Sequence, residues 1–214
     1  MKYIASILII LALTVSCKQD ANPSKVDPRP LGDINVVINS PEIKIDSLAI
    51  FSIDAKNKVI ETTEFDTLKF NLPEPLNDIY KIEFFSEKHI TPTQVWLDGE
   101  KTILNIQVDR FAKVKEVKNS PLHDHINQYS KKLEELYKDP VENNEKIDAY
   151  LLQQIDEYKN SPFAFSPAEV YYYKNKEDLQ KLKKLDSLLN TVAKKFNNHK
   201  INIQPLVKKS IENF

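Results

Sequence analysis

The sequence contains a single thiol, at Cys17. A thiol can act as a nucleophile, bind a metal, form a disulfide or carry a lipid. One cysteine excludes a CxxC redox pair, a disulfide within the chain and a cysteine-rich zinc site. The surroundings of Cys17 favour attachment of a lipid, because the residue directly follows a short apolar segment at the start of the chain.

Residues 1–16 have the composition of a secretion signal. Lys2 supplies a positive charge, residues 4–15 are apolar apart from Ser6 and Thr14, and the small Ser16 precedes Cys17. This pattern resembles a bacterial lipoprotein signal, which is cleaved before a cysteine that then carries the lipid. We therefore predict a signal peptide at residues 1–16 and a lipid anchor on Cys17. By analogy with other lipoproteins, Lys18 at the next position favours the outer membrane.

Two other interpretations of this segment remain. A transmembrane anchor needs about 20 apolar residues, and this segment is shorter. An ordinary secretory signal, cleaved after Thr14-Val15-Ser16, would release a soluble protein with a free thiol. Lipoprotein signals usually have leucine three residues before the cysteine, whereas this chain has Thr14 there and Leu13 one place earlier. We favour lipidation because the chain's one cysteine lies at this junction.

His123-Asp124-His125 is a local group of potential metal ligands. On a helix, positions two apart point about 200° away from each other, so the two imidazoles cannot bind one ion from the same face. We predict a surface helix start here instead, with Asp124 near the positive end of the helix. His89 and His199 have no serine or carboxylate at a catalytic spacing. No catalytic residue, metal or cofactor is therefore expected.

Aromatic residues are densest near the middle of the second half of the chain. Stacked tyrosines can bind sugars or peptides, although aromatic residues between two helices more often pack in a core. We favour packing and keep a weak ligand or partner patch as the alternative. The residues concerned are Phe163, Phe165, Tyr171, Tyr172 and Tyr173.

Composition excludes several classes of function. The two glycines, Gly32 and Gly99, lie far apart, so the chain has no glycine-rich loop that could bind a nucleotide phosphate. The chain has 30 basic and 31 acidic residues, and removal of residues 1–16 takes away only Lys2. A nearly neutral chain does not attract nucleic acid over long distances, so no nucleic-acid partner is expected.

The pattern of apolar residues predicts an α+β protein. Residues 17–32 are polar and contain three prolines, which is typical of an extended tether. Over residues 33–118 the apolar residues recur with a period near two, separated by turn sequences about every ten residues. This predicts an antiparallel β-sandwich of about seven strands. Asp98-Gly99, between Trp96-Leu97 and Ile103-Leu104, predicts a hairpin turn.

Residues 119–214 show helical periodicity and predict a helical hairpin or small bundle. Ser120-Pro121 predicts the start of a first helix. Further helices are predicted at about residues 144–159, 176–197 and 204–213, with a break at Ser161-Pro162 and Ser166-Pro167.

This order of elements resembles the N-terminal half of the TlpA-like thiol-disulfide oxidoreductase lipoproteins of Bacteroidota. The matching stretches are residues 94–103, which contain Asp98-Gly99, residues 118–121, which contain Ser120-Pro121, and the spacer-like residues 160–162. The resemblance covers residues 33–214 and implies a β domain of unknown function followed by a helical spacer. In the family a thioredoxin domain with a CxxC pair follows, whereas this sequence ends at Phe214. No catalytic residue is carried over.

The sequence therefore predicts a non-enzymatic lipoprotein of the cell envelope that acts as a docking or ligand-binding module. Its lipid on Cys17 would hold it at a membrane, facing the periplasm or the cell surface. The alternative is the anchoring half of a split or truncated thiol-disulfide oxidoreductase, with a thioredoxin-like chain as its partner. A truncated remnant without a present role is a third interpretation.

Overall fold

The computed structural model describes residues 32–54, 58–63, 67–87 and 89–214. Residues 32–118 form strands that alternate between buried and exposed side chains. The eight strands of this part are β1 (Gly32–Asn39), β2 (Ser47–Ser52), β3 (Val59–Thr62), β4 (Thr67–Leu72), β5 (Leu76–Ser86), β6 (His89–Gly99), β7 (Lys101–Val108) and β8 (Ala112–Lys118).

The strands make two four-stranded sheets, and the α+β class predicted from the sequence is confirmed. Sheet A has the order β4-β1-β7-β8 and sheet B the order β3-β2-β5-β6. All pairs are antiparallel except β1 with β7, which is parallel. The described residues contain eight strands instead of about seven. The parallel pairing of β1 with β7 corrects the prediction of a purely antiparallel sandwich. It is possible because residues 40–100 connect the two strands, which is long enough for the crossover that a parallel pair requires.

One apolar core lies between the two sheets. It combines Ile34, Phe70 and Leu104 of sheet A with Ile50 and Ile82 of sheet B, all of them fully buried. Burying a side chain of this size stabilises the fold by about 1.5–3 kcal/mol. The alternation along each strand therefore directs one set of side chains into this core and the other set to an outer face.

The turn at Asp98-Gly99 is present, but the predicted hairpin is wrong. Gly99 has φ +94°, as a tight turn requires. The strands on either side pair elsewhere, β6 with β5 in sheet B and β7 with β1 and β8 in sheet A. The chain thus crosses from one sheet to the other at this turn. A Cβ at Gly99 would lie 2.8 Å from the carbonyl oxygen of Asn119, so the backbone itself fills the space.

Residues 121–212 form a bundle of five α-helices. Their bounds are α1 (Pro121–Leu136), α2 (Asn144–Glu157), α3 (Phe165–Asn175), α4 (Leu179–Leu189) and α5 (Gln204–Glu212), with short 3₁₀ helices at Pro162–Ala164 and Lys194–Phe196. None of these helices has the length and apolarity that crossing a membrane requires.

The predicted break and third helix need correction. The sequence from Phe165 forms helix α3, because a proline is tolerated at Pro167 in the first turn, where a missing N–H has no helical partner. Helix α4 begins after Asp178, whose carboxylate accepts hydrogen bonds from the N–H groups of Gln180 and Lys181, both at 3.0 Å. It ends at Leu189, well before the predicted end at residue 197.

Candidate functional site

Cys17 and the predicted signal peptide, residues 1–16, lie outside the described residues. The predicted tether, residues 17–32, lies outside them as well, except for Gly32, which begins β1. The lipid anchor therefore stays a prediction from the sequence. The described part of the chain contains the domains that the anchor would hold.

Four of the five aromatic residues predicted as a candidate patch are core residues. Phe163, Phe165, Tyr171 and Tyr172 are all buried, whereas Tyr173 is 58% exposed. The hydroxyl group of Tyr172 also lies 2.9 Å from the hydroxyl oxygen of Ser210. Because a ligand cannot reach four of these rings, they do not form an open binding patch. They pack the bundle, which is the interpretation that the sequence favoured.

Phe163 joins the bundle to the sandwich. Its ring meets Trp96 of β6 edge to face, with centroids 5.5 Å apart, and meets Tyr129 and Tyr158 of the bundle in the same way at 5.5 and 5.2 Å. His125 also packs over Tyr158, with ring centroids 4.2 Å apart. Edge-to-face aromatic pairs add about 0.5–1.5 kcal/mol each to burial of the rings. The cluster therefore fixes how the two parts sit together.

The carboxylate of Asp98 is a second connection between sandwich and bundle. Its Oδ1 accepts hydrogen bonds from the hydroxyl group of Ser120 at 3.0 Å and from the N–H of Leu122 at 2.9 Å. The N–H of Asp98 donates to Ser120 Oγ at 3.1 Å. Asp98 thus caps helix α1, whereas the side chain of Ser120, at the N-cap position, makes no capping hydrogen bond.

A third connection involves a histidine, a carboxylate and a hydroxyl group. His199 Nε2 lies 3.0 Å from Asp78 Oδ1, and Ser52 donates its hydroxyl proton to Asp78 Oδ2. In a nucleophilic triad the imidazole must accept the proton of the hydroxyl group. Here the carboxylate of Asp78 lies between the imidazole and the hydroxyl group, so the three side chains form a structural hydrogen-bond network. The sequence could not indicate this contact, because Asp78 and His199 are 121 residues apart.

His123 and His125 both lie on helix α1. Burial lowers the pKa of His123. His125 Nε2 lies 2.7 Å from the side-chain carbonyl oxygen of Gln154. Among the residues that the structure describes, no group of three or more His, Cys, Asp and Glu side chains is arranged to hold a metal ion.

The bundle encloses a charged cluster around Asp148, which is 8% exposed. Its carboxylate accepts hydrogen bonds from Lys174 and Lys181 at 2.7 Å each and from Asn175 at 3.0 Å. Burial alone would raise the pKa of Asp148, but these hydrogen bonds outweigh burial and lower it. Because the charges meet each other, the cluster offers little to a ligand. The adjacent depression at the turn between α3 and α4, about 370 Å³, is lined by residues 173–178, including Lys174 and Asn175 of this cluster.

The outer face of sheet B combines apolar residues with a closed set of ion pairs. Glu83 lies 2.8 Å from both Lys58 and Lys81, and hydrogen bonds from these two lysines lower its pKa. Ile60 and Ile90 on the two edge strands are 60% and 59% exposed. Glu83 is thus paired with two lysines, and this set keeps one positive formal charge.

The outer face of sheet A is open and polar. We call it the amide face. The strand register places five amides on it, namely Asn35, Asn39, Asn71, Asn105 and Gln107. The same register places four lysines and two acids there, namely Lys69, Lys101, Lys113, Lys118, Asp33 and Glu116. A fifth lysine, Lys115, has no partner in the register and lines a depression on this face. All these residues are exposed or half-buried. Glu116 accepts a hydrogen bond from the side-chain amide of Asn105, and its other carboxylate oxygen lies 3.4 Å from Lys118 Nζ. The remaining lysines outnumber Asp33, so the face carries a positive formal charge toward solvent.

A depression of about 260 Å³ lies on the amide face. It forms where the pairing of β7 with β8 is irregular, between Asn105 and Ile106, so that Lys115 is an extra residue on the edge strand. Its walls include Val37, Gln107 and Lys115. Amide groups both donate and accept hydrogen bonds, and lysines donate to anions. This arrangement suits binding of a polar, negatively charged ligand.

Comparison with known proteins leaves the family open. No family model matches this chain, and no curated protein matches it either. A solved structure described as a "putative cell adhesion protein" from Bacteroides ovatus is similar over 42% of this chain and 45% of its own, with 9% sequence identity and a TM-score of 0.31. The chain thus spans less than half of that protein, and the similarity is too low to support an inference.

Proposed function

We propose that this protein is a non-enzymatic lipoprotein of the cell envelope that acts as a docking or ligand-binding module. Lipid on Cys17 holds it at a membrane, with the outer membrane favoured, and the folded part faces the periplasm or the cell surface. The observation that carries the proposal is the amide face, an open surface with many hydrogen-bonding groups next to a depression.

The surroundings of the other polar groups support a binding role. Asp98, Asp78 and His199 connect the sandwich to the bundle, and Asp148 is paired within the bundle. These residues make the module rigid. A rigid module lowers the entropy cost of binding, because fewer groups must become ordered when the ligand arrives.

The anchor is tested by expressing the full-length chain in a Gram-negative host supplied with radioactive palmitate. We expect label in the wild-type protein, which should fractionate with membranes, and no label in Cys17→Ala. Ser24→Ala, in the predicted tether, is the control variant and should be labelled as the wild type is. An unlabelled wild-type chain in the soluble envelope fraction would contradict the anchor and favour an ordinary secretory signal.

A second candidate function is the anchoring half of a split thiol-disulfide oxidoreductase. The observation that favours it is the contact between two sequence motifs of the resemblance to the TlpA-like family. Asp98 of the Asp-Gly turn binds Ser120 of the Ser-Pro helix start, so the two motifs belong to one structural unit. Crosslinking in cells that produce the chain at native levels should then recover a thioredoxin-like protein. Failure to recover one after efficient crosslinking would count against this function.

A further inference from the structure

We infer that the amide face binds an acidic polysaccharide, a chain of sugars that carries carboxylate or sulfate groups. The inference rests on the proposed function, because it names the ligand class of the proposed binding module. It depends on three features of the same surface, which are its amides, its lysines and its depression.

The amides lie in neighbouring strands, and one pair of them is at matched height. Asn39 pairs with Gln107, and Val37 pairs with Asn105, across the parallel strands β1 and β7. On the other side of β1, Asp33 pairs with Asn71. Each amide offers two N–H donors and one carbonyl acceptor, so it can bind a sugar hydroxyl group in either role. A row of such groups suits a ligand that presents many hydroxyl groups along its length.

The lysines give the face its charge. Lys113, Lys115 and Lys118 lie on the edge strand β8, and Lys69 lies on the opposite edge strand β4. The whole chain has a formal net charge of −1, so this concentration of positive charge is local. A local positive surface attracts polyanions and speeds their association. Neutral polysaccharides gain nothing from the lysines.

The depression is a concave part of the amide face that can hold one group of the ligand. The irregular pairing at Asn105 and Ile106 moves Lys115 toward the same hollow that Asn39 and Gln107 line. Irregularities of this kind occur often beside binding sites, where they redirect a side chain. One carboxylate of the ligand could therefore meet Lys115 while neighbouring hydroxyl groups meet the amides.

The composition of the face argues against a protein or a lipid bilayer as the ligand. Protein interfaces are enriched in aromatic residues and depleted in lysine. Peripheral membrane surfaces insert tryptophan, phenylalanine or leucine between lipids. The amide face has no aromatic residue and no leucine at its outward positions, and it is rich in lysine. Its apolar members, Val37 and Ile103, are half-buried.

The test measures affinity for polygalacturonate with the full-length chain in detergent solution, which does not require the lipid anchor. Dextran serves as the neutral polysaccharide, and vesicles containing phosphatidylglycerol serve as the anionic lipid surface. We expect binding to polygalacturonate that weakens as salt is added, and no binding to dextran. The double variant Lys113→Glu/Lys115→Glu should bind about tenfold or more weakly. Lys183→Glu/Lys184→Glu on the exposed side of α4 is the matched control and should bind as the wild type does.

A second variant, Asn39→Ala/Gln107→Ala, tests the paired amides of the depression without a change in charge. It should weaken binding while the dependence on salt stays the same. Equal losses in the two lysine variants, no binding to polygalacturonate, or stronger binding to the anionic vesicles would overturn the inference. Loss of palmitate label with retained polygalacturonate binding would instead refute only the anchor, so the two failures are distinguishable.

Discussion

In the bundle, the carboxylate of Asp148 is buried and meets two lysines and an asparagine, whereas the lysines and amides of the amide face lie toward solvent. The two regions contain similar polar residues in different settings. Buried polar groups must find partners within the protein, since an unpaired one costs about 1–3 kcal/mol. On the amide face, Asn105 and Lys118 contact Glu116, whereas Lys69, Lys113 and Lys115 lie toward solvent, where a ligand can reach them. The bundle therefore uses its polar residues for stability, and the sandwich keeps its own for binding.

The largest expected effect concerns the contact between the two regions. Phe163→Ala removes a ring that is 1% exposed and touches both Trp96 and the bundle. We expect a loss of about 3–5 kcal/mol in the free energy of unfolding. Urea titration followed by fluorescence of Trp96, the one tryptophan, measures it. Phe111→Ala, at a ring that is 77% exposed, is the control and should change stability by less than about 0.5 kcal/mol. Similar losses in both variants would mean that the contact of Phe163 with Trp96 contributes nothing specific to stability.

Removal of the buried carboxylate should come next in size. Asp148→Ala leaves Lys174, Lys181 and Asn175 without their shared acceptor. We expect a loss of about 2–4 kcal/mol, less than for a fully buried ion pair because Lys181 is partly exposed. Asp156→Ala removes an exposed carboxylate on the same helix and should cost less than about 0.5 kcal/mol. A small effect at Asp148 would mean that the bundle does not depend on this cluster.

The cap of helix α1 should contribute less. Asp98→Ala removes the acceptor for the N–H of Leu122 and for the hydroxyl group of Ser120. A loss of about 1–2 kcal/mol is expected, as for other helix caps. Glu100→Ala, at the exposed residue after the turn, should be nearly neutral. If Asp98→Ala were also neutral, the contact between the Asp-Gly turn and the Ser-Pro helix start would have no energetic role.

The dependence of stability on pH should show a smaller effect of the cluster around Asp148. Because the folded state lowers the pKa of Asp148, its stabilising effect is present above the pKa of the unfolded state. That effect is lost as the pH falls through the lower pKa of the folded state. The wild type should therefore lose stability in acid, in the range below roughly pH 4. Asp148→Asn should lose less over the same range, and parallel pH curves for the two proteins would contradict the assignment.

Local patterns predicted the strands, the start of α1 and the helix at the C-terminus, because these depend on periodicity and on capping residues close in sequence. The turn at Gly99 was also predictable, since few residues other than glycine adopt its φ. That the chain crosses from one sheet to the other at this turn was not predictable, because strand pairing depends on partners such as β1, which is distant in sequence. The sequence did not predict helix α3, because a proline such as Pro167 is compatible both with the first turn of a helix and with a break between helices.

The candidate surface was beyond reach of the sequence for the same reason. Asn35, Asn71 and Asn105 are separated by dozens of residues and share a face only because β1 lies between β4 and β7. The aromatic residues between 163 and 173 are close in sequence and therefore predicted a patch, yet most of them are buried. Contacts such as that between Asp78 and His199 likewise depend on how the bundle sits on the sandwich.

The most direct test of the division between the two regions is lysine acetylation footprinting by mass spectrometry, with and without polygalacturonate. The full-length chain reacts with low concentrations of acetylating reagent, and the rate at each lysine is compared between the two samples. We predict slower acetylation at Lys69, Lys101, Lys113, Lys115 and Lys118 on the amide face when the polysaccharide is present. Lys183 and Lys184 of the bundle should react at unchanged rates. Equal protection of both regions, or protection of the bundle alone, would contradict the account.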